Sequence, residues 1–185
     1  MRIISGKFRG KIIVAPKQLP VRPTTDFAKT ALFNILANHF DFEDVSVLDL
    51  FSGTGNISFE FGSRGCTHLV AVDENHQVVK FISETFKKLG MIEASIFRFD
   101  VFHFLESCNE TFDIIFADPP YDLAATDKLP EIIFRKNLLK KNGWLIIEHQ
   151  SKRKLESNLN THETRVYGNC AFSIFRQSEI TGTHE

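Results

Sequence analysis

Apolar positions change their spacing several times along the chain, and each change marks an element. In residues 2–15, Ile3-Ile4 and Ile12-Ile13-Val14 flank a stretch bounded by Gly6 and Gly10. β-Branched runs around glycines predict a hairpin or arm. Residues 16–23 read as a loop. Thr24, Thr25 and Asp26 are candidate N-caps for a helix in which Phe27, Ala28, Ala31, Leu32, Ile35 and Leu36 recur at intervals of three and four. Beyond residue 45 the pattern changes to short apolar runs at 45–51, 69–72, 95–99, 112–117 and 144–147. Helical stripes separate them, the clearest being Val78, Val79, Ile82, Phe86 and Leu89, stopped by Gly90. Strands alternating with helices predict a doubly wound α/β domain with a mostly parallel sheet. Residues 164–167 and 171–176, joined at Gly168-Asn169, predict an antiparallel pair at one edge. Lys140-Lys141, before Asn142-Gly143, reads as a helix C-terminus, where cations are favoured.

Composition narrows the class. At 185 residues the chain is sized for one domain. Hydrophobic residues at 43% and charged residues at 24% fit a globular protein and exclude a fibre or disordered chain. No apolar run approaches the roughly 18 residues of a membrane helix. Residues 1–6 turn polar at once, which predicts no signal peptide. Cys66, Cys108 and Cys170 are odd in number and far apart, which argues against a disulfide framework and for a cytoplasmic protein. Charge is uneven. Residues 1–40 carry seven Lys/Arg and one acid, while the other 145 carry fifteen basic and twenty-two acidic groups. A basic end on an acidic body fits a polyanionic partner touched by one part of the chain; a solvated basic surface fits equally.

Acids close the predicted strands. Asp49, Asp73, Asp100 and Asp118 each fall at or beside a strand's C-terminal end, where ligands bind in an open α/β sheet. Any one alone could merely cap a helix. Together they favour a ligand bearing hydroxyl, amine or cationic groups. The first run leads into Asp49-Leu50-Phe51-Ser52-Gly53-Thr54-Gly55, whose glycines let backbone approach a ligand closely. The third glycine of a dinucleotide fingerprint is Ser58, and no P-loop lysine follows. Asp49 would repel a pyrophosphate but suits S-adenosylmethionine, which carries a sulfonium, an ammonium and no phosphate. Asp73 stands 20 residues after Gly53, at the spacing of an acid that grips ribose hydroxyls. The fourth run ends in Asp118-Pro119-Pro120-Tyr121. Prolines end a strand in any case. The full motif also offers a carboxylate and a carbonyl to accept both hydrogens of an exocyclic amine. Tyr121 adds a ring on which a flipped base can stack.

These two motifs, in this order, resemble a class I S-adenosylmethionine-dependent methyltransferase, and Asp-Pro-Pro-Tyr resembles that of amino-methylating members. Arg2-Ile3-Ile4-Ser5-Gly6-Lys7-Phe8-Arg9-Gly10, Arg22-Pro23-Thr24-Thr25-Asp26, Leu32-Phe33-Asn34-Ile35-Leu36, Ser63-Arg64-Gly65 and Tyr167-Gly168 resemble the RsmD family, over residues 1 to about 176. The resemblance implies a seven-stranded Rossmann-like sheet and methylation of the exocyclic N2 of a guanine in small-subunit (16S) rRNA. It implies a basic N-terminal arm at 1–23 as an RNA-binding extension, a methyltransferase domain at 24–180 and a frayed tail at 181–185. It assigns Asp49, Ser52, Gly53, Thr54, Gly55, Asp73, Asp100 and Thr25 to the cofactor, and Asp118, Pro119, Pro120 and Tyr121 to catalysis. Arg2, Lys7, Arg9, Lys11 and Arg22 would grip RNA phosphates. The partner is the rRNA or an assembling small subunit, met by a monomer with no membrane contact. The chain departs from the family pattern at Phe27 and Thr30, where a basic residue and a glutamate usually stand, and more mildly at Ser52 and Asn56.

The seven histidines show no metal-ligand spacing with each other or with the cysteines, so no metal is expected. Most of the 19 phenylalanines read as core; Phe8 and Phe51 are candidates for base or cofactor contact. Lys152-Arg153-Lys154 reads first as a solvated face and second as an RNA contact. Rival readings are an amino-methyltransferase acting on adenine N6 or a protein amide, a nicotinamide-dependent oxidoreductase, and an RNA-binding assembly factor without catalysis.

Overall fold

The computed structural model describes residues 1–16, 25–91, 94–155 and 162–176. Arg22 and the tail at 181–185 lie outside the described residues. Seven strands, β1 (Ser46–Leu50), β2 (His68–Asp73), β3 (Ala94–Arg98), β4 (Phe112–Ala117), β5 (Leu139–Gln150), β6 (His162–Tyr167) and β7 (Cys170–Arg176), form one sheet. Its order is β3-β2-β1-β4-β5-β7-β6. The first five strands are mutually parallel, and β7 runs antiparallel to both β5 and β6. The expected doubly wound sheet, with an antiparallel hairpin at one edge, is thus present. Strand order reverses between β1 and β4, which opens a crevice beyond their C-terminal ends.

Alternation along the central strands builds two cores. Val47, Ile114, Phe116 and Ile146 face one side, with residues of α1 (Asp26–Ala37), α2 (Asn56–Ser63) and α3 (His76–Leu89). Leu48, Leu50, Ile115 and Leu145 face the other, with residues of α4 (Val101–Ser107) and α5 (Lys128–Arg135). Successive strand residues point to opposite faces, so an apolar run with no polar gaps is what a sheet covered on both sides requires. Each fully buried Leu, Ile or Phe contributes about 1.5–3 kcal/mol. α1 and α3 start at side-chain caps: Thr25 Oγ1 accepts the Ala28 N–H at 3.2 Å, and Asn75 Oδ1 accepts those of Gln77 and Val78. No helix among the described residues is long and apolar enough to cross a membrane.

Three expectations change. The N-terminal hairpin is reduced to a single antiparallel bridge, Arg2 with Ile12. The amides of Ile4 and Ser5 leave the ladder and donate to the two oxygens of Glu60, at 2.8 and 3.0 Å. The arm therefore lies docked on α2. Lys29, counted above in the basic end, is 1% exposed and belongs to the interior. Lys140 and Lys141 end no helix; they lie within β5, which begins five residues before the predicted strand. Lys140 pairs with Asp113 at 2.8 Å, and a register shift between Phe112 and Ile114 precedes the regular ladder.

Candidate active site

The glycine loop is tied to the end of β2. Ser52 donates its amide and its hydroxyl to the Val72 carbonyl, at 3.1 and 2.9 Å. Gly53 N–H donates to one oxygen of Asp73 and Asn75 N–H to the other, both at 2.9 Å. Gly55 precedes α2 with φ +74°, and a Cβ there would sit 2.8 Å from the Phe59 ring. Only glycine meets both conditions.

Three carboxyls share one face of the sheet. Parallel register sets Leu50 beside Ala117 and Ala117 beside Ile147. The next residues along β4 and β5, Asp118 and Glu148, therefore stand side by side. Asp49, paired with Phe116, lies on the same face one step below. Asp49 is 1% exposed, and the Ser58 hydroxyl donates to it. Burial pushes its carboxyl up to about 7, against the pull of the Ser58 bond and with a further push from Asp73. Burial also drives Asp118 well above the ordinary carboxylate range, and Glu148 and Asp49 add to this. Asp73 is raised by burial as well. Groups so perturbed in a crevice mark a functional site.

The crevice is a cavity of about 940 Å³. Among the sequence candidates, Thr25, Asp49, Ser52, Gly53, Thr54, Asp73, Asp100 and all of Asp118, Pro119, Pro120 and Tyr121 line it; Gly55 does not. Asp100 also caps α4 by accepting the His103 amide at 2.9 Å. Phe51 joins the lining with φ +57°. No Lys, Arg or His stands among the described lining residues, whereas six carboxyls do. Another cavity, of about 490 Å³, sits at the opposite ends of the strands and includes no motif residue.

Sequence reasoning missed several members. Glu148 was visible as a strand-ending acid but was not grouped with the other four. Phe27, read as part of the apolar stripe of α1 and as a departure from the family pattern, is instead 69% exposed and meets Tyr167 edge-on at 6.1 Å in the lining. The β6–β7 turn brings Tyr167 and Asn169 to the rim. Arg153 braces the loop after Tyr121: it donates to the Leu123 carbonyl at 3.3 Å and pairs with Asp127 at 3.2 Å.

Arg2, Lys7, Arg9 and Lys11 are exposed on the arm, and none lines the cavity. Lys7 and Lys11 flank the Phe8 ring at 5.5 and 5.8 Å. Arg2 pairs with Asp26 at 3.4 Å, beside the lining residues Thr25 and Phe27. Beneath the arm, Lys29 Nζ donates to the Arg2 carbonyl and to Asn56 Oδ1, both at 2.7 Å, and pairs with Glu60 at 3.5 Å. Gly6 has φ +81°, and a Cβ there would come within 1.9 Å of the Ser63 carbonyl oxygen. Among the described residues no group of three or more His, Cys, Asp or Glu could hold a metal ion.

A glycine loop between β1 and α2 and ligand-facing acids beyond a sheet of this order are the frame of a class I methyltransferase. The solved structure of Escherichia coli yhhF, described as a methyltransferase, matches the fold with a TM-score of 0.83 at 24% identity, over 96% of this chain and 97% of that one. Within that class the chain belongs to the family described as Conserved hypothetical protein 95, whose model matches residues 1–176; this is the RsmD family. Bacillus subtilis YlbH, described as an rRNA methyltransferase, is 30% identical over 96% of this chain and 99% of its own length. Ribosomal RNA small subunit methyltransferase D of Escherichia coli is 28% identical over 96% and 90%.

Proposed function

We propose that this protein transfers a methyl group from S-adenosylmethionine to N2 of a guanine in small-subunit rRNA. The observation that carries this reading is the Asp118-Pro119-Pro120-Tyr121 loop, which lines the same acid-rich cavity as the glycine loop, free of described cations. Such a lining fits a cationic, phosphate-free cofactor and disfavours a dinucleotide. Asp73 would take its ribose hydroxyls, Asp100 its adenine amine and Asp49 its positive charge. When bound, the cofactor supplies an electrophilic methyl on a sulfonium.

The remaining chemistry is that of the chain. A positive charge in the cavity pulls the raised carboxyls back toward their ionised, acceptor-only forms. Asp118 and the Pro119 carbonyl then accept the two N2 hydrogens, which aims the nitrogen lone pair at the methyl carbon. Tyr121, 39% exposed, stacks on the flipped base. As N2 gained the methyl and the cofactor left as the neutral thioether, Asp118 would receive the N2 proton. Positioning supplies most of the acceleration. The arm cations hold phosphates of the rRNA, free or in an assembling particle.

The test uses radiolabelled S-adenosylmethionine, the purified protein and small subunits from a strain lacking the gene, with the product nucleoside identified by mass spectrometry. N2-methylguanosine in small-subunit rRNA is expected. Absence of label there, with cofactor bound in a separate titration, would redirect the search to DNA, tRNA and protein amides.

A further inference from the structure

We propose that Glu148 is the specificity-determining residue for guanine: its carboxylate accepts the N1–H of the base while Asp118 accepts N2–H. The inference rests on the guanine-N2 reading and explains how the site would choose that base. Three observations carry it. Glu148 is 3% exposed yet lines the cavity. Strand register sets it beside Asp118, the residue proposed to hold the reacting amine. Both project from the same face of the sheet as Asp49, into the space that Tyr121 borders.

An ionised carboxylate accepts and cannot donate. Two of them side by side match an edge that offers two adjacent donors. Guanine has that edge, with N1–H next to the N2 amine. Adenine offers its amine next to the N1 acceptor, cytosine offers N4 next to the N3 acceptor, and a glutamine amide offers nitrogen next to oxygen. Each of these would set an acceptor against the Glu148 carboxylate, two buried acceptors with no hydrogen between them. Sites built on such matching reject the mismatched analogue by about 10⁴–10⁵-fold at best. Asp118 alone grips an amine on any of these acceptors, so discrimination falls to its neighbour.

The test compares guanine with 2-aminopurine at the methylated position of reconstituted small subunits. The analogue keeps the 2-amine but has an acceptor at N1. Wild-type protein should favour guanine by about 10²-fold or more in kcat/KM. Glu148→Gln can donate to that acceptor and should narrow the ratio at least about tenfold, while Glu148→Asp should keep the guanine preference. Because the ratio is read within one preparation, partial inactivation cancels; cofactor titration checks that the variant is folded. An unchanged ratio in Glu148→Gln overturns the proposal, as does wild-type protein that uses both bases equally. Wild-type protein that methylates neither removes the guanine-N2 reading, and the inference with it.

Discussion

Lys29 and Glu60 form an ion pair 3.5 Å apart in the interior, at 1% and 0% exposure. The Glu60 carboxylate also takes the amides of Ile4 and Ser5 and the Arg64 guanidinium, the last at 3.0 Å. Burial lowers the Lys29 pKa, and Glu60 opposes that shift. Removing one partner strands the other charge without water. Glu60→Ala should therefore cost about 3–5 kcal/mol, read as a lower urea midpoint at unchanged slope. A loss below about 1 kcal/mol would mean that water already reaches Lys29.

Gly6→Ala tests the docking of the arm alone. The new Cβ would collide with the Ser63 carbonyl, and φ +81° is strained for alanine. The arm should detach, and trypsin should cut after Lys7, Arg9 and Lys11 at least about tenfold faster, as expected when a local contact opens. Cofactor affinity should hold. Unchanged cleavage would show that the close approach to α2 does not secure the arm.

Replacing Lys7, Arg9 and Lys11 with glutamine should weaken rRNA binding and flatten its dependence on salt. Three lost phosphate contacts lower the log–log slope by about 2–3. An identical slope would locate the phosphate grip elsewhere.

Asp49 makes stability depend on pH. Its carboxyl is raised to about 7 in the fold, against about 3.9 unfolded. The protonated form is favoured on folding, so its contribution is full below pH ~4 and lost as pH rises through ~7. At 1.36 kcal/mol per pH unit, this amounts to about 4 kcal/mol. Asp49→Asn should thus gain melting temperature relative to wild type between pH 5 and 8, while losing cofactor affinity. Parallel curves would mean that Asp49 stays ionised throughout.

Asp118→Ala should abolish methyl transfer and leave cofactor affinity within a few fold, because Asp118 is assigned to the acceptor amine. A single-turnover assay with labelled cofactor reads this directly. Retained transfer would remove the proposed acceptor geometry.

Much of the frame was legible because β-branched runs and helical stripes alternate cleanly. β4 matches its predicted bounds, and β1, β2 and β3 match within one residue at either end. Where local preference and tertiary pairing disagree, local reading fails. Lys140 and Lys141 look like a helix end, but strand pairing and Asp113 draw them into β5. Lys29 looks like surface charge, because nothing near it in sequence announces that Glu60, 31 residues on, will bury with it. The motif loops were readable because glycine and proline chemistry is local. The meeting of Phe27, Tyr167 and Glu148 was not, since only folding brings α1, the β6–β7 turn and the end of β5 to one cavity.

The arm is held by its main chain and by Ile3 and Ile13, whose side chains are buried in the core. Glu60 takes two of its amides, Ser63 binds the amides of Lys7 and Phe8 and the carbonyl of Ser5, and Lys29 takes the carbonyl of Arg2. None of these bonds uses a side chain at positions 7, 9 or 11. The domain supplies the fastening, and the arm supplies a surface that can be rewritten. Variation at those three positions can change the charge the arm presents while the clamp beneath stays as it is, so the arm's surface and the fold's stability are free to evolve separately.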